Sequence, residues 1–153
     1  MKILFNSSLG ESQDDPDEAF LRDLCEQPEA YWQDPLGSGT GALSILDAER
    51  AIGDTLEITR KDPHGFFLLL HANYREFVVV KDSPTSEVVK CHYAGEPFFI
   101  PVALLHPPEL AFEVMKEFCR SGQPANCVKW VRRKELSWDS ESETWNPPAD
   151  LSK

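Results

Sequence analysis

Several things are missing from this chain, and each absence narrows what it does. No run of residues has the length and apolarity of a membrane-crossing helix. The first residues, Met1 to Gly10, hold one lysine and too short an apolar run for a secretory signal, so the chain is expected to stay in the cytoplasm. Positive charge is scarce: 15 Lys and Arg stand against 26 Asp and Glu, a net charge of −11. Such a surface repels nucleic acid and anionic membrane and attracts basic partners. The four cysteines, Cys25, Cys91, Cys119 and Cys127, form no C-x-x-C pair. In a reducing compartment they read as free thiols, mostly packed as small hydrophobes.

Catalytic signatures are missing too. The glycine-rich stretch Gln33–Gly41 is followed by no G-K-[ST], so it reads as a loop and not as a phosphate cradle. No G-x-S-x-G elbow is present, and Ser38 lies in a flexible G-S-G. His64, His71, His92 and His106 do not fall at metal-ligand spacings, and no cofactor is implied. Cys25 and Cys119 sit near helix C-termini, the wrong end for a thiolate nucleophile, and Cys91 and Cys127 fall in expected strands. The zinc-deaminase pattern of H-x-E with P-C-x-x-C does not occur.

What is present is a pattern of alternating elements. At 153 residues the chain is most simply one domain, expected to span residues 1–135, with a polar tail from Leu136 to Lys153 that Trp138 and Trp145 could partly dock. Lys2–Asn6 reads as a short strand, and Ser7–Asp15 as a polar connection. Asp15-Pro16-Asp17-Glu18 reads as a helix start, with Asp15 as cap and Pro16 at the first helical position. Phe20, Leu21, Leu24 and Cys25 share one face of that helix, which Pro28 ends. Strands follow at 42–46, 55–60, 66–71, 76–81 and 87–93, separated by short turn signals, as in an antiparallel meander. A second helix opens at Pro107-Pro108, buries Leu110, Ala111, Val114, Met115 and Phe118, and stops at Gly122. A last strand is expected at 126–131, with Trp130 largely buried. The fold class is α+β: an antiparallel meander sheet with two main helices packed on one side.

Charge is unevenly placed. Residues 1–63 hold 14 acids and 5 bases, whereas residues 64–135 are nearly balanced, with 8 acids and 9 bases. The candidate binding residues are therefore Asp14, Asp15, Asp17 and Glu18 at the first helix start, with Asp82 and Glu96 in strand-connecting loops. Tyr31 and Tyr74, aromatics near loops, are the candidate anchors.

The stretch from Tyr93 to Trp130 carries a resemblance. Gly95-Glu96-Pro97, the small apolar run to Pro101, the helix around Ala111 and Phe118, and the ending Gly122, Pro124, Cys127, Val128 and Trp130 fall in a characteristic order. This order resembles the C-terminal half of a family of bacterial immunity proteins found beside deaminase-type polymorphic toxins, and the likeness extends over roughly residues 55–131. The resemblance implies an α+β fold, no catalysis, and a cognate secreted toxin as partner, commonly a nucleic-acid or nucleotide deaminase. Pro124 and Trp130 look structural within that pattern. Two other readings stay open: an acidic nucleic-acid mimic or adaptor that binds another basic protein, and an enzyme of unrecognised type.

Overall fold

The computed structural model describes residues 1–148; residues 149–153, the end of the expected tail, lie outside the described residues. Among the described residues there are ten strands: β1 Lys2–Asn6, β2 Ser12–Asp14, β3 Gly41–Leu46, β4 Ile52–Lys61, β5 Gly65–Ala72, β6 Arg75–Val79, β7 Val88–Tyr93, β8 Glu96–Pro101, β9 Leu105–His106 and β10 Trp130–Arg132. Three helices accompany them: α1 Glu18–Glu26, α2 Glu29–Trp32 and α3 Pro108–Ser121. The fold is α+β, with an antiparallel sheet ordered β10-β6-β5-β4-β3-β1-β2, β9 pairing with β5, and β7-β8 forming a separate hairpin.

The register shows why β5 is apolar throughout. Phe66, Leu68 and Leu70 belong to the cluster beneath α1 and α3, while Phe67 and Leu69 belong to a second cluster on the opposite face. Alternate strand residues point to opposite faces. A strand covered on both sides therefore loses the polar half of its alternation. The helices pack on one face, with Leu21, Leu24 and Cys25 of α1 meeting Ala111, Phe112, Val114, Met115 and Phe118 of α3. Arg22 lies 4.0 Å over the Phe112 ring where the two helices meet. The opposite face is covered by the β7-β8 hairpin, the 3-10 turn Val102–Leu104, and Trp138 and Trp145.

Several expectations need correction. The meander runs only from β3 to β6, because the Asp82-Ser83-Pro84 connection carries β7 to the other face and leaves the edge of β6 to β10. The cap of α1 is Asp17, whose Oδ1 accepts from Phe20 N at 2.8 Å. Asp15 is committed elsewhere: its N–H donates to Ile3 O at 2.7 Å and its Oδ1 accepts from Ile3 N at 2.9 Å. That exchange holds the chain beside β1 just beyond β2, a strand that the polar stretch Ser7–Asp15 conceals. The short α2 was also hidden by Pro28, which stands as its cap and lets Trp32 plug the core at 0 % exposure.

At the other end, α3 begins at Pro108 and stops at Gly122, whose φ of 70° is the left-handed cap glycine supplies cheaply. Trp130 is half-buried and not largely buried, since β10 is an edge strand of three residues; its Nε1 donates to Ala125 O at 2.9 Å. The strand expected at 126–131 shortens accordingly, and Cys127 falls in a turn and is exposed. From Leu136 the chain continues across the hairpin face. There Trp138 Nε1 donates to Phe99 O at 2.9 Å, and Trp138 and Trp145 form a bridge.

Candidate functional site

Antiparallel pairing brings one set of connections to a common end of the sheet. The β3-β4 turn, the β5-β6 turn, the start of β1 and the end of β2 all lie there, because Lys2 faces Leu46, Leu46 faces Ile52, Leu4 faces Asp14 and Ala72 faces Arg75. Asp14, Asp15, Asp17, Glu18 and Tyr74 are thus on one rim. Tyr31, Asp82 and Glu96 are not. Tyr31 sits by the β1-β2 turn, where Ser8 Oγ donates to its carbonyl. It is half-buried with its ring edge-on to Trp32, and burial, then the Glu11 charge, raise its phenol pKa. Asp82 follows β6 at the far end, and Glu96 starts β8 on the hairpin.

Tyr74 is the outstanding residue of the rim. The β5-β6 connection is two residues long, with Asn73 at φ 52° and Tyr74 at φ 62°. Such turns match the twist of the flanking strands, and their second position favours glycine. A tyrosine there carries a left-handed penalty of about 1 kcal/mol. Its side chain is fully exposed and recovers none of that by packing. Beside it Ile52 is 66 % exposed. Ile52, Gly53, Asp54, His71 and Asn73 join Tyr74 in lining a depression of about 380 Å³.

The acids of the rim differ in how they are engaged. Asp14 meets Lys2 at 3.3 Å and Arg50 at 3.7 Å, and Glu18 meets Arg22 at 3.7 Å. These are exposed pairs, each contributing at most about 1 kcal/mol, so their charges remain open to a partner. Glu49 and Asp54 have no cationic partner among the described residues. Neither carried a sequence signal, and only the turn geometry sets Asp54 beside Tyr74.

A polar row crosses the uncovered part of the hairpin face. Tyr93 OH donates to Glu57 Oε1 at 3.4 Å, and His71 Nε2 lies 3.5 Å from Glu57 Oε2. The Glu57 carboxylate raises the His71 pKa against the effect of partial burial, and the same charge holds the Tyr93 phenol above its ordinary value. Arg133 closes the row on Glu76 at 2.8 Å. Behind the hairpin, Gln33 joins three segments. Its Nε2 donates to Gly39 O and Thr59 Oγ1, and its Oε1 accepts from His92 N at 2.9 Å. Gly39, at φ 88°, passes so close to the His92 carbonyl that a Cβ would not fit.

Burial pushes the Cys25 and Cys91 thiols up to about 11 and the Cys119 thiol to about 12, so all three are protonated at neutral pH. Among the described residues, no group of three or more His, Cys, Asp or Glu is placed to hold a metal ion, and no helix is long and apolar enough to cross a membrane. In comparison with known proteins, no protein-family model matches the chain and no curated protein matches its sequence.

Proposed function

We propose that this chain is an immunity protein that acts in the cytoplasm: it binds a cognate bacterial toxin, a nucleic-acid or nucleotide deaminase, and covers the toxin's active site without catalysis of its own. The observation that carries the reading is Tyr74, held at positive φ with its ring wholly in solvent, next to exposed Ile52 and Asp54 and at the same end of the sheet as Asp14. Aromatic residues that anchor interfaces are ringed by polar groups in this way. Enzymes that act on nucleic acid present basic grooves to phosphate. An acidic rim complements such a groove and speeds encounter. The order of residues from Gly95 to Trp130 supports the class of protein. The competing nucleic-acid mimic explains the acids but not the bases Arg75, Arg132 and Lys134 beyond Tyr74, which have no acidic partner among the described residues.

The test is co-purification with the product of the adjacent gene, followed by inhibition of that product's activity. Association should slow as salt rises and slow further when Asp14, Asp17 and Asp54 are changed to lysine. Tyr74→Ala should weaken the complex by about 2 kcal/mol, roughly thirtyfold, mainly through faster dissociation. If the chain neither binds nor inhibits the neighbouring product, the immunity reading fails. A salt-independent on-rate would remove only the electrostatic part.

A further inference from the structure

Tyr74 also borders a second surface, of opposite charge. A groove of about 500 Å³ opens where β10 stops and the chain turns through the 3-10 segment Arg133–Glu135. Tyr74 and Arg75 line it from the β5-β6 turn, Arg132 and Lys134 from the end of β10, and Leu136 and Trp138 from the segment beyond. One wall is fixed by Arg133. Its Nη1 meets Glu76 at 2.8 Å, its Nη2 donates to Ser140 Oγ at 3.2 Å, and its guanidinium lies 4.2 Å over the Trp138 ring. Glu76, the acid of the lining, is therefore neutralised.

Among the described residues, at least eight lysines and arginines are in ion pairs with carboxylates. Arg75, Arg132 and Lys134 are not, among the described residues, and all three converge on this groove. Three unspent cations in one groove, on a protein with 26 acids, form a receptor for negative charge.

The surroundings select the occupant. β10 pairs with β6 only over Phe77–Val79, and past its end the 3-10 segment Arg133–Glu135 lies beside β6, with Arg133 on Glu76. Trp138 is buried beneath the Arg133 guanidinium and closes the floor, and half-buried Leu136 offers apolar surface at the rim. Arginine pairs carboxylates through two parallel hydrogen bonds. A nucleic acid carries a charge at every nucleotide, which the −11 net charge of the chain opposes, whereas a protein segment needs acids only where the three cations stand.

We propose that this groove binds a short carboxylate-rich segment of a partner protein, with Arg75, Arg132 and Lys134 pairing its acids and Leu136 meeting an apolar side chain beside them. The proposal stands apart from the toxin reading and survives its failure. The test is titration of the isotope-labelled full chain with a capped nine-residue peptide alternating Glu and Leu, alongside its Gln-for-Glu counterpart and a ten-residue oligothymidine. The Glu peptide should shift the backbone signals of Arg75, Arg132 and Lys134 and the indole signal of Trp138. The Gln peptide should bind at least about tenfold more weakly, a difference of about 1.4 kcal/mol. The double change Arg132→Glu with Lys134→Glu should weaken Glu-peptide binding by at least as much; if that variant melts early, Arg75→Gln and Lys134→Gln serve in its place. Absence of shifts at these residues, equal binding of the two peptides, or unchanged affinity in the variants overturns the proposal. So does tighter binding of oligothymidine at the same residues, which assigns the groove to phosphate. Shifts there that depend on protein concentration alone assign it to a second copy and overturn it equally.

Discussion

The two faces of the sheet are covered by different kinds of structure. On one face α1 and α3 lay down apolar stripes, and the aromatic core continues edge-to-face from Phe5 to Trp32 and from Trp32 to Phe66. On the other face a hairpin, a 3-10 turn and two isolated tryptophans do the same work, with Trp138 edge-on to both Phe67 and Phe98. The helices have local reasons to form: caps, prolines at their starts and regular apolar spacing. The cover of the second face has few such reasons and exists only once β5 is there to receive it. One face is built from elements that bring their own order, and the other from segments ordered by contact.

That contrast breaks most sharply at Phe118. Phe118→Asp places a carboxylate where 1 % of the residue is exposed, under α3 and against the sheet, and should abolish cooperative folding at moderate temperature, read by circular dichroism melting. Trp145→Ala should cost about 3–5 kcal/mol, the usual scale of a large-to-small core change. Here the loss should be uneven. Exchange at the Phe99 amide, which donates to Ser140 O, should quicken far more than exchange in α3. Equal acceleration in both places would show that the two faces are a single cooperative unit.

His106 joins the halves, and pH addresses it. It is buried in β9 opposite Phe66, and its Nε2 bonds Val79 O at 2.7 Å. Burial lowers its pKa from 6.5 to about 4. The unfolded chain therefore takes up this proton before the folded one does. The contribution is full above about pH 6.5 and is lost as pH falls toward about 4, by an amount on the order of 3 kcal/mol. His71, whose pKa is raised, works in the opposite sense: its contribution is present at low pH and lost as pH rises through its folded value. Denaturant midpoints between pH 4 and pH 7 should fall toward acid in the parent and flatten in a His106→Gln variant. A parent profile that rises toward acid in this window would reverse the assignment.

Smallest, and belonging to neither face, is Tyr74→Gly. Glycine relieves the left-handed strain but loosens the unfolded chain, so the net gain should be about 0.5 kcal/mol, seen as a slightly higher midpoint. A loss of stability would mean that the Tyr74 ring packs after all.

The acidic rim was half legible in the sequence. Asp14, Asp15, Asp17 and Glu18 are close together along the chain, and Tyr74 is marked by its turn. Their meeting on one rim is a consequence of strand order, as are the additions of Ile52, Glu49 and Asp54. Asp15 shows the limit of local reading: its neighbours are those of a helix cap, but Ile3, twelve residues earlier, claims its side chain. The basic groove had a signal in the run Lys129–Lys134, hidden by the acidity of the whole. Only the ending of β10 beside the β5-β6 turn converts that run into one wall of a groove that also holds Arg75.

By itself the sequence determined the class of fold, the bounds of α3 and the existence of the central strands. Those depend on interactions between residues a few positions apart, which apolar period, proline and glycine record directly. Tertiary structure alone decided that the hairpin leaves the meander, that Trp145 is buried at 2 % exposure, that β2 forms from Ser-Gln-Asp, and that acids and bases divide on either side of Tyr74. Each of those outcomes joins residues far apart in the chain. The energy that fixes them lies in contacts that neither segment encodes alone.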